Sequence, residues 1–184
     1  MSSLAMSKKK IPKSVKRILI DIKNYSQNKP HNAFISICNN NVYKIKVLII
    51  GPEDTPYANA FFFIDLEFSN NYPFEPPKAK FKTTNGKIRF NPNLYQDGKV
   101  CLSILGTWAG PGWSSCLTLN SVLLSIQSLL NENPIHNEPG FEKEMGSKCK
   151  TYNKIIEYYN IKGATIKMME NTPYGFDVFK EIMA

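Results

Sequence analysis

The chain predicts an α+β fold: an N-terminal helix, a four-stranded antiparallel meander, a long ordered loop, a central helix and C-terminal helices. Three observations carry this. Apolar residues recur first at helical spacing, then alternate through short runs, then return to helical spacing. The alternating runs follow one another on short connections, which favours antiparallel pairing. Strands and helices come in blocks instead of alternating, which separates α+β from a parallel α/β sheet.

The elements follow in order. After Pro12 a helix is expected to about Ser26, with Val15, Ile18, Leu19, Ile22 and Tyr25 on one face, ended by Asn28-Lys29-Pro30. Ala33 to Cys38 alternates, and Asn39-Asn40-Asn41 is a turn signal. Val42 to Ile50 places Tyr43, Ile45, Val47 and Ile49 on one side and Lys44 and Lys46 on the other. In Phe61 to Phe68, residues Phe62, Ile64, Leu66 and Phe68 point one way and Asp65 and Glu67 the other. Tyr72 to Pro77 contains three prolines, each lacking a backbone donor, so it is neither helix nor central strand. A short fourth strand is expected over Lys78 to Phe81.

Residues 83–116 are irregular, yet they hold Ile88, Phe90, Leu94, Tyr95, Leu102, Ile104, Leu105, Trp108 and Trp113. Long loops in compact domains are functional or disordered, and this one is too apolar for disorder. Thr118 is the expected N-cap of a central helix to about Leu130. A second loop, Asn131 to Gly140, precedes a helix from Phe141 to about Asn160 with Gly146 as its weak point. Gly163 is expected to break it, with short helices near 164–170 and 176–183 and packing through Tyr152, Ile156 and Tyr159.

A length of 184 residues is that of one ordinary domain. No apolar run approaches a membrane span, and the N-terminus does not read as a secretory signal. A soluble protein of the cytoplasm, and also of the nucleus, is the expectation. Cys38, Cys101, Cys116 and Cys149 form no Cys-x-x-Cys pair, and His31 and His136 are the only histidines, so no metal site is expected. Residues 1–30 hold eight basic side chains and one acidic one, so nearly all of the net +8 charge sits there. That charge reads either as a solvated arm or as a docking site for an acidic protein surface. Nucleic-acid binding is not expected, because a basic groove would spread across the fold and interleave aromatics.

Several motifs then resemble one family in order and spacing. Gly51-Pro52-Glu53-Asp54-Thr55-Pro56-Tyr57, the proline-rich Tyr72 to Lys78, Asn91-Pro92-Asn93, Gly98-Lys99-Val100-Cys101-Leu102-Ser103-Ile104-Leu105 and Trp113-Ser114 are similar to segments of ubiquitin-conjugating enzymes. The resemblance covers about residues 12–160. The 105–113 loop and the stretch from Asn133 to Glu142 are most similar to the Z-type subgroup and to the conjugating domain of the giant inhibitor-of-apoptosis protein.

This resemblance implies the fold described and a division into a basic disordered arm (1–10), a conjugating core (11–160) and a helical extension packed on it (161–184). It implies that Cys101 takes ubiquitin or a ubiquitin-like protein from an activating enzyme as a thioester, and that a substrate lysine then attacks it. A thiolate is the nucleophile in the first step. No organic cofactor, nucleotide or metal is implied, since the energy already sits in the thioester. Asn93 is implied to stabilise the oxyanion or to hold the loop. His136, Asn137 and Glu138 fall where relatives orient the incoming amine, although His136 equally reads as a loop-packing residue. Lys13, Lys16 and Arg17 fall where relatives meet the activating enzyme, and Phe74, Ser114 and Ser115 where they meet ligases. Asn91 replaces a histidine, and Ser103 stands where many relatives have aspartate. Ser115-Cys116 also departs from the common Pro-Ala. The alternatives are a non-catalytic ubiquitin-binding scaffold of the same fold, a cysteine hydrolase built on Cys101 and His136, and a nucleic-acid adaptor.

Overall fold

The computed structural model describes residues 11–38, 41–84 and 87–184; the expected arm over 1–10 lies outside them. Helix α1 (Lys13–Gln27) leads into four strands, β1 (Ala33–Cys38), β2 (Asn41–Ile50), β3 (Phe61–Glu67) and β4 (Lys78–Phe81), paired antiparallel in the order β1-β2-β3-β4. The long loop follows, with one 3₁₀ turn at Ser103–Leu105. Helix α2 (Leu119–Gln127) crosses one face of the sheet. A 3₁₀ turn at Pro134–Asn137 precedes α3 (Ser147–Tyr159), a π-helical segment (Asn160–Ile166), α4 (Lys167–Glu170) and the terminal α5 (Lys180–Met183).

The main core lies where alternation places it. Ile45, Val47 and Ile49 of β2 and Phe62, Ile64 and Leu66 of β3 meet Leu119, Val122, Leu123 and Ile126 of α2, with Ile18 of α1. In the register, Val47 faces Ile64 and Ile49 faces Phe62, so cross-strand neighbours stack on one face. α2 starts with a capping box: the Thr118 hydroxyl accepts from Ser121 N, and Ser121 Oγ accepts from Thr118 N.

The other face of the sheet is buried as well. Phe34, Leu48, Ile50, Phe61 and Phe63 meet Met168, Phe176, Phe179 and Met183 from the C-terminal segment. This explains why Leu48, Phe61 and Phe63, which sit out of phase with the first face, are apolar: a sheet covered on both sides does not alternate cleanly. Farther along the same face the strands turn charged, with Lys46 Nζ 2.5 Å from Asp65 Oδ1.

Four expectations are corrected. The buried stripe of α1 is Ser14, Ile18 and Asp21, while Leu19 is 44% exposed. Polar Ser14 and Asp21 are buried because each has an internal partner, Ser14 through Tyr43 and Asp21 through Arg17, Tyr72 and Leu119. Residues 141–146 are not helical; the third helix starts at Ser147. Pro139-Gly140 and Gly146 break the helical pattern there, and His136 Nε2 takes the Glu144 carbonyl oxygen as a partner at 2.8 Å. Gly163 does not break the helix but sits in the π segment, where a Cβ would come 2.7 Å from Ile88 Cδ1. Finally, Tyr159 is exposed, and the burial expected of it falls to Asn160 and Ala164.

Candidate functional site

The Asn91-to-Cys101 segment is held by short-range chain geometry. Leu94 N donates to Asn91 O at 2.9 Å and Gly98 N to Tyr95 O at 3.0 Å, which closes the turn between Asn93 and Cys101. Gly98 has φ +90°, and a Cβ there would come 2.6 Å from the Phe81 carbonyl oxygen, so no other residue fits without a shift. Asn93 and Cys101 then grip each other twice. Cys101 N donates to Asn93 O at 2.9 Å, and Asn93 Nδ2 donates to Cys101 O at 2.8 Å.

Behind Asn93 lies a fully buried amide. Asn91 Nδ2 donates to Leu129 O (2.7 Å) and to Tyr57 Oη (3.1 Å), and its Oδ1 accepts from Asn93 N (2.8 Å) and from Asn137 Nδ2 (3.3 Å). Two donors and two acceptor positions are the whole capacity of a carboxamide, so Asn91 is saturated. Tyr57 Oη donates in turn to Phe90 O at 2.7 Å, and burial pushes the Tyr57 phenol well above its ordinary value. Asn93 differs: its Oδ1 is buried with no partner among the described residues. The amide nearest the thiol has capacity left, and the one behind it has none.

Cys101 is a free thiol with 1% of its surface accessible. It borders an open depression of about 500 Å³ with Tyr95, Lys99, Gly106, Thr107, Trp108 and Ala109. The far wall is tied down at Thr107, whose Oγ1 accepts from Leu102 N at 3.0 Å and lies 2.6 Å from Val100 O. Beyond it, residues 108–112 make no backbone–backbone hydrogen bond among the described residues. The loop is caught again at Trp113, whose Nε1 donates to Pro73 O at 2.7 Å.

The three residues of the second loop separate. None of them lines the depression beside Cys101. His136 is engaged with Glu144 and borders a polar recess with Thr55, Asn131, Glu132 and Asn133. Asn137 points its amide at Asn91 Oδ1 and Leu129 O, while Asn131 Nδ2 donates to Asn137 Oδ1 at 3.4 Å. Glu138 pairs with Arg89 at 3.3 Å, and the Arg89 guanidinium lies 4.4 Å over the Tyr95 ring, so Glu138 reaches the edge of the depression through Arg89 and Tyr95.

The candidate docking residues fall on one neighbourhood. Lys13 and Lys16 are exposed on α1, and Phe74, Ser114 and Ser115 are exposed on their loops, Phe74 at 81%. Arg17 is committed within the chain: it donates to Ser115 O (2.7 Å) and Leu117 O (2.6 Å) and pairs with Asp21 at 3.0 Å. The buried Asp21 carboxylate also accepts from Tyr72 Oη and from Leu119 N, the first residue of α2. This cluster ties together α1, the proline-rich loop and the start of α2. Tyr57, Thr107 and Asp21 were not singled out by sequence reasoning; for Asp21 the signal was a lone acid on a basic helix.

A scan of family models matches residues 17–161 to the ubiquitin-conjugating enzymes. Ubiquitin-conjugating enzyme E2 Z of Xenopus tropicalis is 46% identical over 171 residues, covering 92% of this chain and 55% of that protein. The human E2 Z is 47% identical over 161 residues, covering 86% of this chain and 46% of that protein. The human dual E2 ubiquitin-conjugating enzyme/E3 ubiquitin-protein ligase BIRC6 is 47% identical over 150 residues, covering 76% of this chain and 3% of that protein. The chain belongs to the ubiquitin-conjugating enzyme family. It spans about half the length of the E2 Z relatives it matches.

Proposed function

We propose that this chain carries ubiquitin or a ubiquitin-like protein as a thioester on Cys101 and passes it to a lysine amine of a protein substrate. It would load from an activating enzyme and act with a ligase. The observation that carries the reading is the mutual grip of Asn93 and Cys101 beside an open depression, in a chain of this family. In the first step the Cys101 thiolate attacks the activating enzyme's thioester, and that enzyme's cysteine leaves. In the second, a substrate amine attacks the Cys101 thioester; a C–N bond forms, the C–S bond breaks, and Cys101 is released. Both steps build negative charge on the thioester oxygen. Asn93, whose Nδ2 carries a second N–H beyond the one given to the Cys101 carbonyl oxygen, is our candidate to hold the loop and to face that charge. Glu138, through Arg89 and Tyr95, is the candidate to orient the amine.

Lys13 and Lys16 are the candidate contacts for the activating enzyme, with Arg17 shaping the surface, and Phe74, Ser114 and Ser115 the candidate contacts for the ligase. The test is thioester loading with activating enzyme, ATP and each modifier, followed by gels with and without reductant. A reductant-sensitive adduct that is lost in Cys101→Ala supports the reading and names the modifier. No adduct with any activating enzyme would overturn it in favour of a ubiquitin-binding scaffold.

A further inference from the structure

We propose that Asn137 is a positioning residue: through Asn91 it fixes the backbone of Asn93 and hence the amide that holds the Cys101 segment. The inference rests on the reading of Cys101 above. It gives Asn137 a role different from amine orientation.

The argument is one of hydrogen-bond polarity. Asn91 is completely buried, so the orientation of its carboxamide is set entirely by its neighbours. Its Oδ1 faces two donors, Asn93 N–H and Asn137 Nδ2, and its Nδ2 faces two acceptors, Leu129 O and Tyr57 Oη. Asn137 is oriented in its turn, because its Oδ1 accepts from Asn131 Nδ2 while its Nδ2 is shared with Leu129 O. Three carboxamides thus run from Asn131, just past α2, to the Asn93 backbone: Asn131 donates to Asn137, Asn137 to Asn91, and Asn91 Oδ1 also accepts from Asn93 N, so donors converge on it from both sides. Asn93, its backbone N–H fixed by Asn91, donates its side-chain Nδ2 to the Cys101 carbonyl oxygen. A histidine at position 91 has only two ring nitrogens and cannot serve four partners. Asparagine at 91 therefore has room for a second donor at Oδ1, and Asn137 supplies it.

Substitutions at 137 that differ in polarity separate the two roles. Asn137→Asp sets a carboxylate against Asn91 Oδ1 and Leu129 O, acceptor against acceptor. Asn91 can relieve this by turning its amide over, which aims Nδ2 at Asn93 N–H and breaks that bond. Asn137→Ala removes one donor and imposes no reversal. An amine-orienting residue behaves the opposite way, because a carboxylate attracts an incoming ammonium better than an amide does.

The experiment loads wild type, Asn137→Ala and Asn137→Asp with modifier and times discharge to free lysine. Hydrogen exchange of the Asn93 backbone amide and the thermal midpoint are followed in the unloaded proteins. We expect discharge from Asn137→Asp to be slower than from Asn137→Ala, and roughly tenfold or more below wild type, the scale of one buried bond lost. The Asn93 amide should exchange faster in the same order. Discharge from Asn137→Asp equal to or faster than wild type would overturn the proposal in favour of amine orientation. Equal losses in both variants that follow the thermal midpoint, with Asn93 exchange unchanged, would overturn it in favour of a stability role alone. Failure of wild type itself to load would remove the carrier reading and this inference with it, whereas loading of all three proteins leaves the carrier reading standing whichever order is found.

Discussion

The two flanks of Cys101 are built on opposite terms. On one side, Asn93, Asn91 and Tyr57 form a buried hydrogen-bonded ladder that joins the nucleophile segment to the end of α2 and to the loop before β3. On the other, the 108–112 stretch runs between anchors at Thr107 and Trp113 without backbone–backbone bonds among the described residues. The difference teaches where rigidity is placed. The wall that fixes the carbonyl and amide groups is over-determined, and the wall across the depression is held only at its ends. Stability should therefore reside in the first flank and accessibility in the second.

The sharpest way to break this contrast is Asn91→Ala. It strands Asn93 N and other buried groups, and should lower unfolding free energy by about 2–4 kcal/mol in chemical denaturation. A loss below about 1 kcal/mol would mean that the ladder is not a structural keel. Next is Tyr57→Phe, which removes a donor to Phe90 O and should cost about 1–3 kcal/mol near neutral pH. It also has a pH signature. Burial raises the folded-state Tyr57 value above its ordinary 10.0, as burial and the neighbouring Asp21 do for Tyr72. The stability these neutral phenols contribute is fully present below pH 10.0 and is lost as pH rises beyond it, because the unfolded chain releases those protons first. Above that point Tyr57→Phe should be less sensitive to pH than wild type by about 1.4 kcal/mol per pH unit.

The smallest effect on stability, and the most informative about access, belongs to Trp108→Ala. Trp108 is 41% exposed and lines the same depression as a thiol that is almost fully covered. Its removal should change stability by no more than about 0.5 kcal/mol. Alkylation of Cys101, read by mass spectrometry against the exposed Cys116 as internal reference, should quicken by roughly threefold or more, since exposure governs thiol reactivity. An unchanged ratio would place the cover of the thiol elsewhere.

Much of this arrangement was legible beforehand because its signals are local. Alternation in Ala33–Cys38 and Phe61–Glu67, and the turn residues around Gly98, state their structure within a few positions. The resemblance supplied the importance of Cys101 and Asn93. What was not legible depends on partners distant in sequence. Asp21 reads as a surface charge on a basic helix until Tyr72 and Leu119 are seen to surround it. Leu48, Phe61 and Phe63 break a clean alternation for no local reason; the reason is Phe176, Phe179 and Met183, more than a hundred residues away. The roles of Asn91 and Asn137 could not be separated from the sequence, because an asparagine facing inward and one facing a substrate look the same in a chain. The 141–146 segment failed as a helix because its neighbours Gly140 and Gly146, and the carbonyl that meets His136, outweigh a few helix-forming residues.

The π segment has a consequence for the winding of the long C-terminal helix. Its buried positions Ile156, Asn160, Ala164 and Met168 recur every fourth residue, with Gly163 buried beside Ala164; Ile156 and Ala164 pack in the main core and Met168 in the second. A regular α-helix returns to the same side after about 10.8 residues in three turns, so over the twelve steps from Ile156 to Met168 it would swing Met168 about 120° out of line. The wider turn absorbs that surplus. The helix therefore holds about one residue more than its phase requires. Deletion of exposed Ile161 or Lys162 would leave eleven steps, close to three plain α turns, and Met168 is expected to stay buried.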